Sequence, residues 1–148
     1  MSDKSLVPRL TVITLGVGDI RASIAFYESL GFTRKLKATG EAVAFFDTGG
    51  SVLALFPWDQ LAADAALPVG SRPTGFRGAT LAWNCRAREE VDQVLGFVIS
   101  KGATLLKAAT VTDYGGYSGY FADPDGHPWE VVVAPGIEVG EDGVHLPD

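Results

Sequence analysis

The sequence predicts an α+β fold: two tandem βαβββ modules forming an open, cup-shaped mixed sheet with helices on the outside. Three observations carry this. The order strand, helix, strand, strand, strand occurs twice along the chain. Segments of the first copy superpose on the second: Phe45-Phe46-Asp47-Thr48-Gly49-Gly50 overlies Phe121-Ala122-Asp123-Pro124-Asp125-Gly126 at an offset of 76, and Leu53-Ala54-Leu55 overlies Trp129-Glu130-Val131 at the same offset. Of the 148 residues, 47% are hydrophobic and 20% charged, enough to build a core within one domain. Neither module can bury its helix face and its sheet face alone, so the two must stack.

The elements follow in order. Leu10–Val17 alternates between small or polar residues and Ile13, Leu15 and Val17, the period of a half-buried strand. Asp19 caps a helix carrying Ile20, Ile24, Phe26, Tyr27 and Leu30, and Gly31 ends it. Strands are expected near Thr33–Lys37, Ala42–Asp47 and Val52–Phe56, the last two joined by a turn at Asp47-Thr48-Gly49-Gly50. Asp59–Ala66 reads as a short helix inside the linker 57–78. The order then restarts with a strand at Ala79–Cys85 and a helix at Arg88–Lys101, whose Val91, Val94, Leu95 and Val98 share a face. Strands at Thr104–Ala109, Ser118–Ala122 and Trp129–Val133 complete the second copy. The expected organisation is therefore an N-terminal extension (1–9), a first module (10–56), the linker (57–78), a second module (79–133) and a tail (134–148).

Composition excludes several function classes. The net charge is −6 and the basic residues are scattered, which argues against nucleic acid as partner. No apolar run approaches the roughly 20 residues that cross a bilayer, and Met1–Arg9 lacks the apolar stretch of a signal peptide. A cytoplasmic protein is the expectation. Cys85 is the only cysteine, so an internal disulfide and a multi-cysteine metal site are both excluded.

Two motifs carry a family resemblance: Leu15-Gly16-Val17-Gly18-Asp19 followed by Phe26-Tyr27 and Leu30-Gly31-Phe32, and Tyr120-Phe121-Ala122-Asp123-Pro124-Asp125-Gly126-His127 running into Trp129-Glu130. In order, inside a duplicated frame, they resemble the vicinal oxygen chelate superfamily, which includes glyoxalase I, bleomycin-binding proteins, fosfomycin-resistance transferases and extradiol dioxygenases. The resemblance implies a glyoxalase-like fold over about Leu10–Val133. It implies a homodimer as well, in some relatives with modules of two chains completing each cup. Metal-binding relatives hold a divalent ion on four strands, and the matching positions here are Val12, Ala54, Thr80 and Glu130. Only Glu130 is a good ligand, since valine and alanine offer no lone pair and a threonine hydroxyl binds transition metals poorly. No metal cofactor is expected, with a divalent-metal lyase, transferase or dioxygenase as the alternative and a structural or interaction module as a third reading.

Strand alternation assigns the cup lining. Val12, Thr14 and Gly16 point in, as do Ala42, Ala44, Phe46, Val52, Ala54 and Phe56 across the first hairpin. The second copy contributes Thr80, Ala82, Asn84, Ser118, Tyr120, Glu130 and Val132. Such a cup suits a small amphipathic organic ligand. Positions matching Ser118 and Tyr120 lie at the substrate site of the fosfomycin-resistance enzymes. Glu130 is read as a general base, a binding group, or an inherited ligand position with no present role; in an apolar, metal-free cup, desolvation would favour its neutral form. The glycine-rich run Tyr114–Tyr120, with Tyr114 and Tyr117, reads either as a mobile lip or as a bulged strand edge. Trp58 closes the other rim or anchors the linker. His127 is expected as a solvated turn residue, and Trp83, Trp129 and Cys85 point away from the cup.

Overall fold

The computed structural model describes residues 6–70 and 72–148, so residues 1–5 of the extension and position 71 of the linker lie outside it. The first copy contains β1 (Val12–Val17), α1 (Ile20–Ser29), β2 (Thr33–Lys35), a 3-10 turn at Lys37–Thr39, β3 (Ala44–Asp47) and β4 (Val52–Pro57). Then come α2 (Trp58–Asp64), β5 (Leu81–Asn84), α3 (Arg88–Ser100), β6 (Thr104–Val111), β7 (Tyr117–Ala122) and β8 (Pro128–Val133). The tail forms a hairpin of β9 (Glu138–Gly140) and β10 (Gly143–His145). The sheets have matching orders, β1-β4-β3-β2 and β5-β8-β7-β6, with β1 parallel to β4 and β5 parallel to β8. The duplicated order of the sequence is thus a duplicated topology.

Local chemistry explains the helices. The Asp19 side chain accepts the Ala22 N–H at 3.1 Å and so caps α1, while Gly31 follows the helix at φ +99°, a conformation that favours glycine. Helix α1 buries Ser23, Ile24, Phe26 and Tyr27, and α3 buries Val91, Val94, Leu95 and Val98.

These helix-side faces share one core. Fully buried Tyr27 lies at its centre: its ring is 6.0 Å from that of Trp129, and Phe32 contacts both Trp83 and Trp129. The Tyr27 hydroxyl donates to Asp123 Oδ2 at 2.6 Å and accepts from Trp129 Nε1 at 3.0 Å. Burial, and then the charge of Asp123, push this phenol well above its usual range. Asp123 is itself buried, and its Oδ1 accepts the N–H groups of Asp125 and His127, each at 2.9 Å. One carboxylate thus shapes the β7–β8 turn and fastens it to α1 of the other module.

A second tie runs beside it. Asp125 Oδ1 accepts the Gly18 N–H at 2.7 Å. Arg77 donates to His127 Nδ1 at 2.9 Å, so His127 carries its proton on Nε2, which donates to the Gly16 carbonyl at 2.7 Å. His127 is therefore a half-buried bridge between modules and not a solvated turn residue, a correction that local turn chemistry could not supply. Trp58 stacks on it at 6.0 Å and lies over Gly16, where a Cβ would meet the indole at 3.0 Å. Trp58 is thereby the packing anchor of the linker, and α2 covers part of the first sheet's cup face.

The pairing also corrects the parity of the first hairpin. Ala44 faces Leu55 and Phe46 faces Leu53, across a loop of four residues, Thr48 to Ser51. An even loop pairs residues of opposite parity, so Ala44 and Phe46 belong with Leu53 and Leu55 on the helix side, and Phe45 takes the cup side with Ala54. Phe46 is fully buried, 6.1 Å from the Tyr27 ring. In the second hairpin Ala122 pairs with Pro128 across an odd loop, and the alternation holds as read.

Candidate functional site

The cup face of the second sheet gathers the polar groups. Registers across three strands align Ala82, Glu130 and Tyr120 in one row and Asn84, Val132 and Ser118 in the next. Strand β6 extends both rows. Leu105 pairs with Phe121, and a straight ladder would then set Leu106 opposite Tyr120; the register instead slips twice, bringing Lys107 opposite Tyr120 and Thr110 opposite Ser118. Two bulges therefore exchange an apolar wall for an ammonium and a hydroxyl. Gly119 makes this possible, because a Cβ there would lie 2.8 Å from the Lys107 carbonyl oxygen and 3.0 Å from the Ala109 nitrogen.

The resulting cavity, about 420 Å³, is lined by Glu130, Tyr120, Ser118, Lys107, Thr110 and the turn Thr112–Tyr114 together with Val111. Burial and then the neighbouring Glu130 carboxylate raise the Tyr120 phenol above its usual range, so at neutral pH it is a hydrogen-bond donor. The lip is a tight turn: Thr112 N–H donates to the Gly116 carbonyl at 2.9 Å, and Gly116 N–H donates to Thr112 Oγ1 at 2.8 Å. Exposed Tyr114 stands at its tip. Tyr117 points the other way, donating to Asp92 of α3 at 2.7 Å with Arg88 over its ring.

Of the residues singled out in the sequence, Glu130, Ser118, Tyr120 and Tyr114 meet in this cavity. Thr14 and Phe56 lie on the cup face of the first sheet, Phe46 in the core and Trp58 against Gly16. Thr80 is exposed ahead of β5. Asn84 lines a different groove of about 450 Å³, between β5, the β3–β4 turn and the C-terminal hairpin. That groove is larger, but its walls are chiefly aromatic and aliphatic side chains and hairpin backbone, whereas the Glu130 cavity concentrates ionisable and hydroxyl groups. Lys107 and Thr110 were missed because alternation cannot register a bulge; the one available signal was a lone charge in the apolar run Thr104–Val111.

The family model described as the glyoxalase/bleomycin resistance protein/dioxygenase superfamily matches residues 9–131. The chain belongs to this superfamily. Among solved superfamily structures, a glyoxalase-related enzyme from Fulvimarina pelagi is 36% identical with a TM-score of 0.83, covering 96% of this chain and 100% of that one. A glyoxalase/bleomycin resistance protein/dioxygenase family enzyme from Burkholderia phytofirmans PsJN is 25% identical with a TM-score of 0.75, covering 84% and 97%. The metallothiol transferase FosB of Lysinibacillus sphaericus (strain C3-41) is 27% identical over 124 residues, covering 84% of this chain and 81% of the transferase.

The superfamily's divalent ion can be tested against the donors present. Of the four family positions, Val12 is exposed at the start of β1, Ala54 is buried opposite Thr14, Thr80 precedes β5, and Glu130 alone carries a carboxylate. Among the described residues, no three His, Cys, Asp or Glu side chains are gathered where they could hold one ion. This donor set does not fit the superfamily metal. Also among the described residues, no helix is long and apolar enough to cross a membrane.

Cys85 is buried beside this sheet, and desolvation followed by the charge of Glu90 pushes its thiol up to about 12. A disulfide-exchange reagent at pH 8 should therefore leave it unmodified in the native protein and label it after denaturation. Rapid labelling of the folded chain would contradict this.

Proposed function

We propose that this protein binds a small amphipathic organic molecule over Glu130 without a resident metal. The observation that carries the reading is the donor set: three of the four family ligand positions lack a good ligating side chain, while the fourth opens into a cavity furnished with two phenols, three hydroxyls, an ammonium and the carboxylate of Asp113. In this reading Tyr120 and Ser118 donate hydrogen bonds to the ligand and Glu130 accepts one; any proton abstracted from the ligand would go to Glu130. The cavity is lined by the second module alone, so a second copy is the natural source of an opposing wall, with Thr14, Phe56 and exposed Val12 on its first sheet. A homodimer belongs to the proposal for that reason.

The test is a thermal-shift panel of metabolites and antibiotics, run beside metal analysis of gently purified protein. Ligands that raise the melting temperature of the wild type, with the gain lost in Glu130→Gln and Tyr120→Phe, support the reading by mass action. A second reading, metal-dependent transfer, is favoured by the likeness to a metallothiol transferase. Stoichiometric zinc, nickel, manganese or iron that disappears in Glu130→Gln would establish it and overturn ours.

A further inference from the structure

We infer that the ligand of the Glu130 cavity is a zwitterion, with its ammonium at Glu130, its acidic group at Lys107 and an apolar or aromatic middle over Tyr120. This rests on the reading of the cavity as a small-molecule site and adds the charge pattern of its occupant.

The three residues form one cross-strand row: Lys107 pairs with Tyr120, and Tyr120 pairs with Glu130. All three line the same cavity. Neighbouring strands lie about 4.8 Å apart, so the α-carbons of the outer two are separated by roughly 10 Å with a phenol ring between them. Both charged groups lack a charged partner: the ion pairs among the described residues are Arg21–Glu41 and His145–Asp142, both elsewhere. No ion pair closes between Lys107 and Glu130 across the ring, and the row of ammonium, phenol and carboxylate suits a molecule with opposite charges at its two ends. Lys107 reaches this face because β6 slips register between Leu105 and Lys107, whereas an unbulged strand would present Leu106. Asp113 adds a second carboxylate to the lining; a lone anion at Lys107 would be repelled by both carboxylates, and a lone cation would leave the Lys107 ammonium without a counter-charge. Only a ligand carrying both signs satisfies both ends.

Four probes test this on the full chain by titration followed with amide NMR: 4-(aminomethyl)benzoate, benzylamine, benzoate and benzyl alcohol. The zwitterion should bind roughly ten-fold tighter than either singly charged probe, a preference that shrinks as salt screens the charges. Lys107→Met should reduce its affinity to that of benzylamine, and Glu130→Gln to that of benzoate, with shifts confined to β6, β7 and β8. Equal affinity for benzoate, benzylamine or benzyl alcohol and for the zwitterion would overturn the charge pairing while leaving an amphipathic site. Absence of any response to all four would remove both.

Discussion

Asp123→Ala should lower the melting temperature by roughly 6–12 °C, corresponding to about 3 kcal/mol lost in a chain of this size. One buried carboxylate accepts three hydrogen bonds, from Tyr27 and from the N–H groups of Asp125 and His127. Its removal leaves the donors dry and unpaired and frees the β7–β8 turn from α1. Asp123→Asn keeps one oxygen for the turn and should cost less than half as much. The partner phenol adds a pH signature. Tyr27 keeps its proton in the folded chain at pH values where an unfolded tyrosine has released it. Its contribution is fully present below about pH 10 and is lost as pH rises past that point, because the unfolded state then gains by ionising. Urea midpoints at pH 7 and pH 10.5 should fall steeply in the wild type and less so in Tyr27→Phe. Equal slopes would show that Tyr27 ionises freely in the fold.

Gly119→Ala should abolish ligand binding in the Glu130 cavity while the protein stays folded, at a stability loss of about 1–3 kcal/mol. The added methyl group would fall 2.7 Å from Leu95 Cδ1 of α3, 2.8 Å from the Lys107 carbonyl oxygen and 3.0 Å from the Ala109 nitrogen; the leucine side chain can turn aside, but the two backbone contacts require β6 to move away from β7. That movement withdraws Lys107 and Thr110 together. Gly115→Ala provides the comparison: its φ of +88° makes alanine strained, but the Cβ meets only Pro135 at 3.6 Å, so binding should survive. Amide shifts across Thr104–Val111 would report the displacement. Native shifts there, with unchanged binding, would sink the account.

Much of this molecule was legible in its residues. The repeat offset located both modules, and alternation placed Ser118, Tyr120 and Glu130 on one face because the β7–β8 loop is odd. Phe46 was misplaced because even-numbered residues were carried to one face on both sides of the hairpin, although the expected bounds Ala42–Asp47 and Val52–Phe56 leave a loop of four, across which parity reverses. Lys107 was invisible for a related reason: a bulge is set by how a strand packs against its neighbour, here against Gly119, and not by the strand's own pattern. His127 was misjudged because its partners, Gly16 and Arg77, are remote in sequence. The tail, to which the sequence pattern assigned no element, forms β9 and β10. Their tip rests on the β3–β4 turn, where a Cβ on Gly50 would lie 2.5 Å from the Asp142 carbonyl.

The two hairpin turns match in sequence and differ in what they hold. Asp47 accepts the Gly49 N–H at 3.0 Å, the same local bond that Asp123 makes to Asp125, but Asp47 is exposed and holds nothing beyond its own turn. Its sister has been recruited to clasp the other half of the molecule. Two copies of one motif therefore face different constraints: the first turn answers to the C-terminal hairpin packed against its glycines, while the second cannot change without loosening its grip on α1.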